Sequence, residues 1–448
     1  MTSATVENLS QVIVAKYLAK YGYDAALSNF LKESGLARSA VDLNNDAFEE
    51  LETIVGERIE FNESKMAAKL ADLSLNDSIP SLDPKFRLSP WDHTLKLVAA
   101  DMPEKPASLV VDLAFSASSE LSVSTVDRSV YFYESDLNLK KKLKLTSGVV
   151  KRCGTILRDK KSWFFVCGMN GALTIFDESF KTLLEHLLHS RIVKYIDFFH
   201  LESESKCYSF SCGLDNYVKV HLIDLKTSET VLLDSQKLTT PCTSFQLAQT
   251  PDQRPVLLLT QQDHSQLMIY TLWDDVLVET HKLAMNNAKF TSHSFNVQSS
   301  CLLDFKETAS IPYNSLNPHL TVVEEGVMMA IATSHTPYMR LILLEIPGVP
   351  TSKPPSESAT RIHYDKILRN IATVVPQDSF SQSILKTCHS SKGLIVGNDS
   401  GVFAIDLANS DSWSLFQQAR RVKALDTSQN RLTIAYADTG LDIFHWRQ

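Results

Sequence analysis

The sequence predicts two parts: a small all-α head and, behind it, an all-β propeller of seven blades. Three observations carry that prediction. Apolar residues recur at helical spacing only near the N-terminus, from Leu9 to Leu36 and again across residues 44–73. From about residue 94 the pattern changes to short runs rich in Val, Ile, Phe and Tyr, broken by turns. Within those runs one unit returns at steps close to 40–45 residues, the length of a four-stranded blade.

In the head, Leu9, Val12, Ile13 and Tyr17 line one helical face, and Val14, Leu18 and Tyr21 widen it. Gly22 ends that helix: with glycine at the C′ position, Tyr23 can pack back on Leu18. A second helix opens near Asp24, runs through Leu27, Phe30 and Leu31, and ends at Gly35 in the same way. The result is an αα-hairpin. A unit under about 40 residues rarely buries enough surface to offset its conformational entropy alone. Its apolar stripe is also wider than one facing helix can cover. A second copy, completing an intermolecular four-helix bundle, is the simplest remedy; packing on the chain's own strands is the alternative.

The run Leu9-x-x-Val12-Ile13-x-x-x-Tyr17-Leu18-x-x-x-Gly22-Tyr23-x-x-Ala26-x-x-x-Phe30-x-x-Glu33 resembles the LisH motif over about 28 residues. LisH modules are dimerisation devices, so the resemblance implies the same role for Leu9, Val12, Ile13, Tyr17, Leu18, Tyr23, Leu27, Phe30 and Leu31. Residues 44–73 read as one more helix, with Phe48, Leu51, Val55, Ile59, Met66, Leu70 and Leu73 near three-four spacing. Gly56, Arg58 and Asn62 interrupt that seam, which argues against a long coiled coil. Prolines 80, 84 and 90 lie among Ser, Asn and Asp in a linker. The expected division is therefore a hairpin at 1–40, a further helix at 41–73, a linker at 74–93 and the propeller at 94–448.

The repeating unit is an apolar strand, a few small residues, Asp or Asn, two turn residues, and a strand opening with Val or Leu. Asp127, Asn170, Asp215, Asp399 and Asp438 each stand three residues ahead of such an opening. Asp and Asn accept local backbone N–H bonds and tolerate unusual φ/ψ, which suits a tight hairpin. The gap of 184 residues from Asp215 to Asp399 takes two more units, one at Asp263 and one at His335. That makes seven blades, the fifth and sixth carrying insertions near 304–320 and 347–363; equal spacing also accommodates eight.

This half resembles the WD-repeat family, most clearly in Cys212-Gly-Leu-Asp-Asn-Tyr-Val-Lys-Val-His-Leu-Ile-Asp-Leu225. The resemblance implies a WD-repeat propeller. His186 and His189 sit where a family histidine caps the turn between blades. The naming Trp-Asp pair is absent from its expected place: Trp91-Asp92 falls in the linker and Trp273-Asp274 after a strand.

Charge and motifs exclude several function classes. Of the net charge of −8, residues 1–82 contribute −6, from 13 acidic and 7 basic side chains, so the strand region is close to neutral. A general nucleic-acid binder needs a dominant basic field. No run reaches the roughly 18–20 apolar residues of a membrane span, and no secretory signal opens the chain. The seven cysteines form no CxxC pair and sit in strand-like contexts, which reads as buried thiols in a nuclear or cytoplasmic protein. No HExxH, zinc-ligand spacing, GxSxG elbow or phosphate loop occurs, so neither enzyme nor cofactor is expected.

One charge cluster stands out. Lys140, Lys141, Lys142, Lys144, Lys151, Arg152, Arg158, Lys160 and Lys161 face Asp159 alone. They read as a solvated rim of connecting loops or as a docking patch for an acidic peptide, RNA or the acidic head of another chain. The order of LisH motif and WD-repeat propeller resembles transducin-β-like corepressors. It implies a scaffold that dimerises through its head and binds proteins on its propeller, in a chromatin or transcription complex. A ubiquitin-ligase scaffold and an RNA-associated propeller are the alternatives. Finally, the chain ends on Leu441–Trp446, the third strand of the last blade, so Thr94–Ala100 is expected to supply the missing fourth strand.

Overall fold

The computed structural model describes residues 3–41, 50–56, 59, 86, 88–146, 148–158, 161–202, 205–286, 295–303, 316–350, 352 and 360–447. These fall in two compact units, Met1–Ile79 and Pro80–Gln448.

The first unit holds α1 (Ser3–Lys20) and α2 (Asp24–Ser34), followed by a 3₁₀ turn at Arg38–Ala40. Gly22 has φ +71°, and the bonds Gly22 N to Ala19 O (3.2 Å) and Tyr23 N to Leu18 O (2.9 Å) form a Schellman ending. Gly35 caps α2 with the same left-handed φ. Of the helix read at 44–73, residues 51–56 are helical, while Phe48, Met66, Leu70 and Leu73 lie outside the described residues.

The second unit is a seven-bladed propeller of four-stranded antiparallel sheets. Blade 1 comprises Val110–Phe115, Leu121–Thr125, Ser129–Tyr133 and Leu139–Lys144; blade 2, Val150–Arg158, Lys161–Gly168, Ala172–Phe176 and Thr182–Leu187; blade 3, Val193–His200, Lys206–Gly213, Tyr217–Asp224 and Glu229–Lys237. Blade 4 comprises Cys242–Gln249, Pro255–Gln261, Gln266–Trp273 and Val276–Ala284; blade 5, Val297–Leu303, Met328–Thr333, Tyr338–Glu345 and Ile367–Pro376; blade 6, Ile384–Cys388, Gly393–Asn398, Gly401–Ile405 and Ser412–Ser414. Blade 7 takes Val422–Thr427, Arg431–Tyr436 and Leu441–Arg447 from the end of the chain and Lys96–Ala99 from ahead of blade 1. Lys96 pairs with Arg447 and Ala99 with Phe444, so the ring closes antiparallel between its two ends, as the missing strand required.

Both long insertions belong to blade 5, not to the fifth and sixth blades. The first separates strands Val297–Leu303 and Met328–Thr333, with residues 304–315 outside the described residues; the second separates Tyr338–Glu345 from Ile367–Pro376. Spacing alone could not place them, because two insertions in one blade lengthen the gap as much as one in each of two. The second doubles back and lays Arg361–His363 parallel to the outer strand of blade 4, covering that edge. Trp273 also differs from its reading: it ends the third strand of blade 4, under the Arg254 guanidinium at 3.9 Å.

Each of the seven apolar clusters lies between two neighbouring blades, so the core is a set of seams between sheets. Two residues read as linker enter these seams. Phe86 joins the seam of blades 5 and 6, and Trp91 that of blades 6 and 7. The Trp91 indole packs edge-on to Trp413 (5.2 Å) and Trp446 (5.7 Å), and the Trp91 main-chain N–H donates to the Asp406 carboxylate at 3.1 Å. Gly393 is glycine for the same reason: a Cβ there would collide with the indole. All seven cysteines are buried and free, and burial pushes the Cys207 and Cys301 thiols up to about 12.

Candidate functional site

The innermost strands surround the propeller axis, and side chains tie them together at every blade boundary. Arg152 donates to Asp112 (2.7 Å) across the boundary of blades 1 and 2, and to the Lys194 carbonyl (2.7 Å) across that of blades 2 and 3. Lys194 Nζ donates to the Cys242 carbonyl (2.6 Å) and the Tyr195 hydroxyl to the Thr243 carbonyl (2.5 Å), joining blades 3 and 4. Ser244 with Ser300, and Gln246 to the Ser300 carbonyl (2.8 Å), link blades 4 and 5. The Leu385 N–H donates to Ser299 (3.2 Å) between blades 5 and 6, and Lys386 pairs with Asp426 (2.7 Å) between blades 6 and 7. Asp426 then accepts the Phe115 N–H (2.7 Å), which completes the circuit to blade 1.

The cations on this circuit are not equivalent. Burial opposes the charge of Lys386, but Asp426 more than offsets it and raises the ammonium above its ordinary range. Lys151 and Lys194 are held below theirs, first by burial and then by the nearby Arg152.

The five Asp and Asn turns all stand between the second and third strands of their blades. Asp127 accepts from Thr125 (2.5 Å), Ser129 (2.9 Å) and Lys144 (3.2 Å), a set led by Thr125 that holds its carboxyl far below the carboxylate range. Asn170 accepts the Ala172 N–H at 3.2 Å. Asp399 pairs with Arg421 (2.8 Å), and Asp438 with Arg420 (2.8 Å) and the Gly440 N–H (3.1 Å).

At Asp215 the arrangement looks catalytic at first sight. His189 Nδ1 lies 3.0 Å from Asp215 and Nε2 lies 2.9 Å from the Ser211 hydroxyl. That is the order of a nucleophilic triad. Yet Ser211 is 0% exposed, so no substrate reaches its oxygen. Burial keeps the imidazole neutral against the pull of Asp215, so Nδ1–H donates to the carboxylate and Nε2 accepts from the serine. The trio clamps the connector ahead of blade 3 to that blade's turn.

Of the nine basic residues singled out in sequence, the eight described do not form one patch. Lys140, Lys141, Lys142 and Lys144 lie on the outer strand of blade 1, where Lys140 reaches Glu120 (3.2 Å) and Lys142 covers the Tyr131 ring (4.9 Å). Lysines along a sheet edge discourage pairing with a second chain. Lys151 and Arg152 are on the inner strand of blade 2, and Arg158 is buried at its end, donating to the Glu202 carbonyl (3.1 Å). Lys161 is exposed at the start of the next strand, and Lys160 lies outside the described residues. Lys194 and Lys423, outside that basic run, hold the matching places on the inner strands of blades 3 and 7. Their signal was the dipeptide Val-Lys opening the inner strands at 150–151, 193–194 and 422–423.

In the head, Ala15 and Leu27 are buried, whereas Val12, Ile13, Tyr17, Leu18, Phe30 and Leu31 are half-buried and Tyr23 is exposed. Leu9 is helical, and its side chain is outside the described set. The Tyr17, Tyr21 and Tyr23 rings gather with centroids 4.9–6.5 Å apart. Among the described residues no His, Cys, Asp and Glu cluster suits a metal ion, and no helix is long and apolar enough to cross a membrane.

The family described as UCP007778, beta-propeller domain, matches residues 73–447. A Saccharomyces cerevisiae protein called "Uncharacterized protein YGR117C" is 27% identical over 475 aligned residues, covering 99% of this chain and 98% of its own length.

Proposed function

We propose, for a chain that belongs to the UCP007778 beta-propeller domain family, that it is a non-enzymatic scaffold that self-associates through its N-terminal hairpin and binds partner proteins on its propeller. A propeller fold fits a protein-interaction role. The observation that carries the reading is the head: the hairpin leaves Val12, Ile13, Leu18, Phe30 and Leu31 half-buried, with Tyr21 and Tyr23 about half exposed. A second copy is the simplest cover for such a stripe, in keeping with the LisH resemblance. The His189–Ser211–Asp215 clamp supports the WD-repeat resemblance, with His221 standing where that family places its tryptophan. Linking two propellers raises the avidity of weak faces without any new contact, which suits a subunit of a chromatin or transcription complex.

The test is sedimentation of the full chain carrying Leu18→Asp with Phe30→Asp. Charges in a small apolar bundle are costly to bury, so the dimer or larger species is expected to become a monomer. An unchanged species would refute self-association through the head.

A further inference from the structure

In six blades the inner strand carries one extra residue directly after its first. Pairing shifts at Val110/Asp112, Val150/Arg152, Val193/Tyr195, Cys242/Ser244, Val297/Ser299 and Val422/Ala424. A bulge of this kind re-aims the extra side chain. The extra residues are Val111, Lys151, Lys194, Thr243, Gln298 and Lys423. Lysine thus occupies this place in blades 2, 3 and 7, which with blade 1 form one continuous arc around the axis.

The apolar residues at the same end of the blades follow a matching division. The first residue of each turn bonds back to the residue just ahead of the inner strand: Val126 to Leu109, Met169 to Val149 and Leu214 to Ile192, at 2.9–3.0 Å. These three are exposed by 44%, 41% and 36%. Gln262, Ser334 and Ala437 make the same bond in blades 4, 5 and 7. Blades 1 to 3 alone therefore put a large apolar side chain at this position.

Charge on the arc is unbalanced. Asp426 on the blade 7 inner strand is taken by Lys386, and Asp197 lies further along that of blade 3 with His319 acting on it. Lys151, Lys194, Lys423 and Arg152 are therefore answered by Asp112, which Arg152 already engages. Lys194 gives its ammonium to a carbonyl, which leaves its charge uncancelled, and Lys151 feels Asp112 against the opposing charges of Arg152 and Lys194. The nearby turn carboxylates are occupied locally, Asp127 by Lys144 and Asp215 by His189 and Ser190.

Resting on the scaffold reading above, we propose that the arc of blades 7, 1, 2 and 3 around the mouth of the propeller axis binds an acidic peptide segment of a partner protein. Its carboxylates meet Lys151, Lys194 and Lys423, and its interspersed apolar side chains meet Val126, Met169 and Leu214. A carboxylate close to Lys151 and Lys194 adds, beside these half-buried ammoniums, counter-charge that Asp112 alone does not supply. A few cations beside three exposed apolar side chains suit a peptide better than nucleic acid, which draws on a long basic field.

The probe is a short labelled peptide alternating Asp or Glu with Leu or Phe, titrated by fluorescence anisotropy into the full chain. A Lys-substituted peptide and a single-stranded RNA oligonucleotide serve as comparisons. Binding of the acidic peptide is expected, weakened about tenfold by Lys151→Gln with Lys423→Glu and weakened again by added salt. Lys423→Glu alone, at an exposed position, is expected to weaken it in the same direction and guards against misfolding of the double variant. Phe380→Asp, on the connector between blades 5 and 6 and 85% exposed, is expected to leave the affinity within twofold. No binding of the acidic peptide, equal affinity in the lysine variants, loss on Phe380→Asp instead, or tighter binding of RNA would overturn the assignment. Any of these with the full chain still self-associated would remove this site and leave the scaffold reading standing.

Discussion

Replacing Trp91 with alanine is expected to loosen the seam between blades 6 and 7. The indole is 5% exposed, sits edge-on to Trp413 and Trp446, and lies against Gly393. A buried tryptophan removes about 150–250 Å² from water, worth ~4–6 kcal/mol at about 25 cal/mol per Å². Truncations of this kind cost about 3–5 kcal/mol. The unit from Pro80 to Gln448 holds 369 residues. At about 2.1 cal/mol/K per residue its unfolding entropy is ~0.8 kcal/mol/K, so a loss of ~4 kcal/mol lowers the melting temperature by about 5 °C. Thermal unfolding of the full chain followed by circular dichroism measures this directly. A shift under about 1 °C would show that the indole is not packed in the seam, and that residues 88–93 are linker after all.

Deleting residues 91–101 removes both Trp91 and the strand Lys96–Ala99, leaving the edge at Leu441–Arg447 open; the whole propeller is expected to lose its cooperative melting, whereas deleting residues 1–80 leaves it unchanged. Circular dichroism melts of the two truncations separate these outcomes. Acid should weaken the fold partly through His221, which burial holds down at about 3 against an ordinary value near 6.5. The unfolded chain then binds the extra proton, so this stability is present in full above about pH 6.5 and drains away as pH falls toward 3. Urea midpoints across that window are expected to fall less steeply in His221→Phe than in the natural chain, and parallel slopes would refute the assignment.

The register of the repeat was legible because one turn chemistry recurs. Asp127, Asn170, Asp215, Asp399 and Asp438 all occupy the turn between second and third strands, as do Asp263 and His335 in blades 4 and 5. The closing strand was legible too, since a last blade with three strands needs a fourth. The insertions were misassigned because chain length does not say to which sheet it returns. Trp91 read as linker because a single aromatic among prolines carries no periodicity.

Local physics therefore determined the kinds of element in this protein and their order: helical spacing near the N-terminus, alternating strands afterwards, and glycine or Asp turns between them. Only the tertiary structure decided which side chains share a surface. Lys140–Lys144 and Lys151–Arg152 are neighbours in sequence, yet one set edges a blade and the other faces the propeller axis. Lys151, Lys194 and Lys423 are distant in sequence and come to one arc because each is the bulged residue of an inner strand. Strand pairing is read along the chain, residue against residue. The arc is set by the closure of seven sheets around an axis, and that closure depends on contacts between blades that no local pattern records.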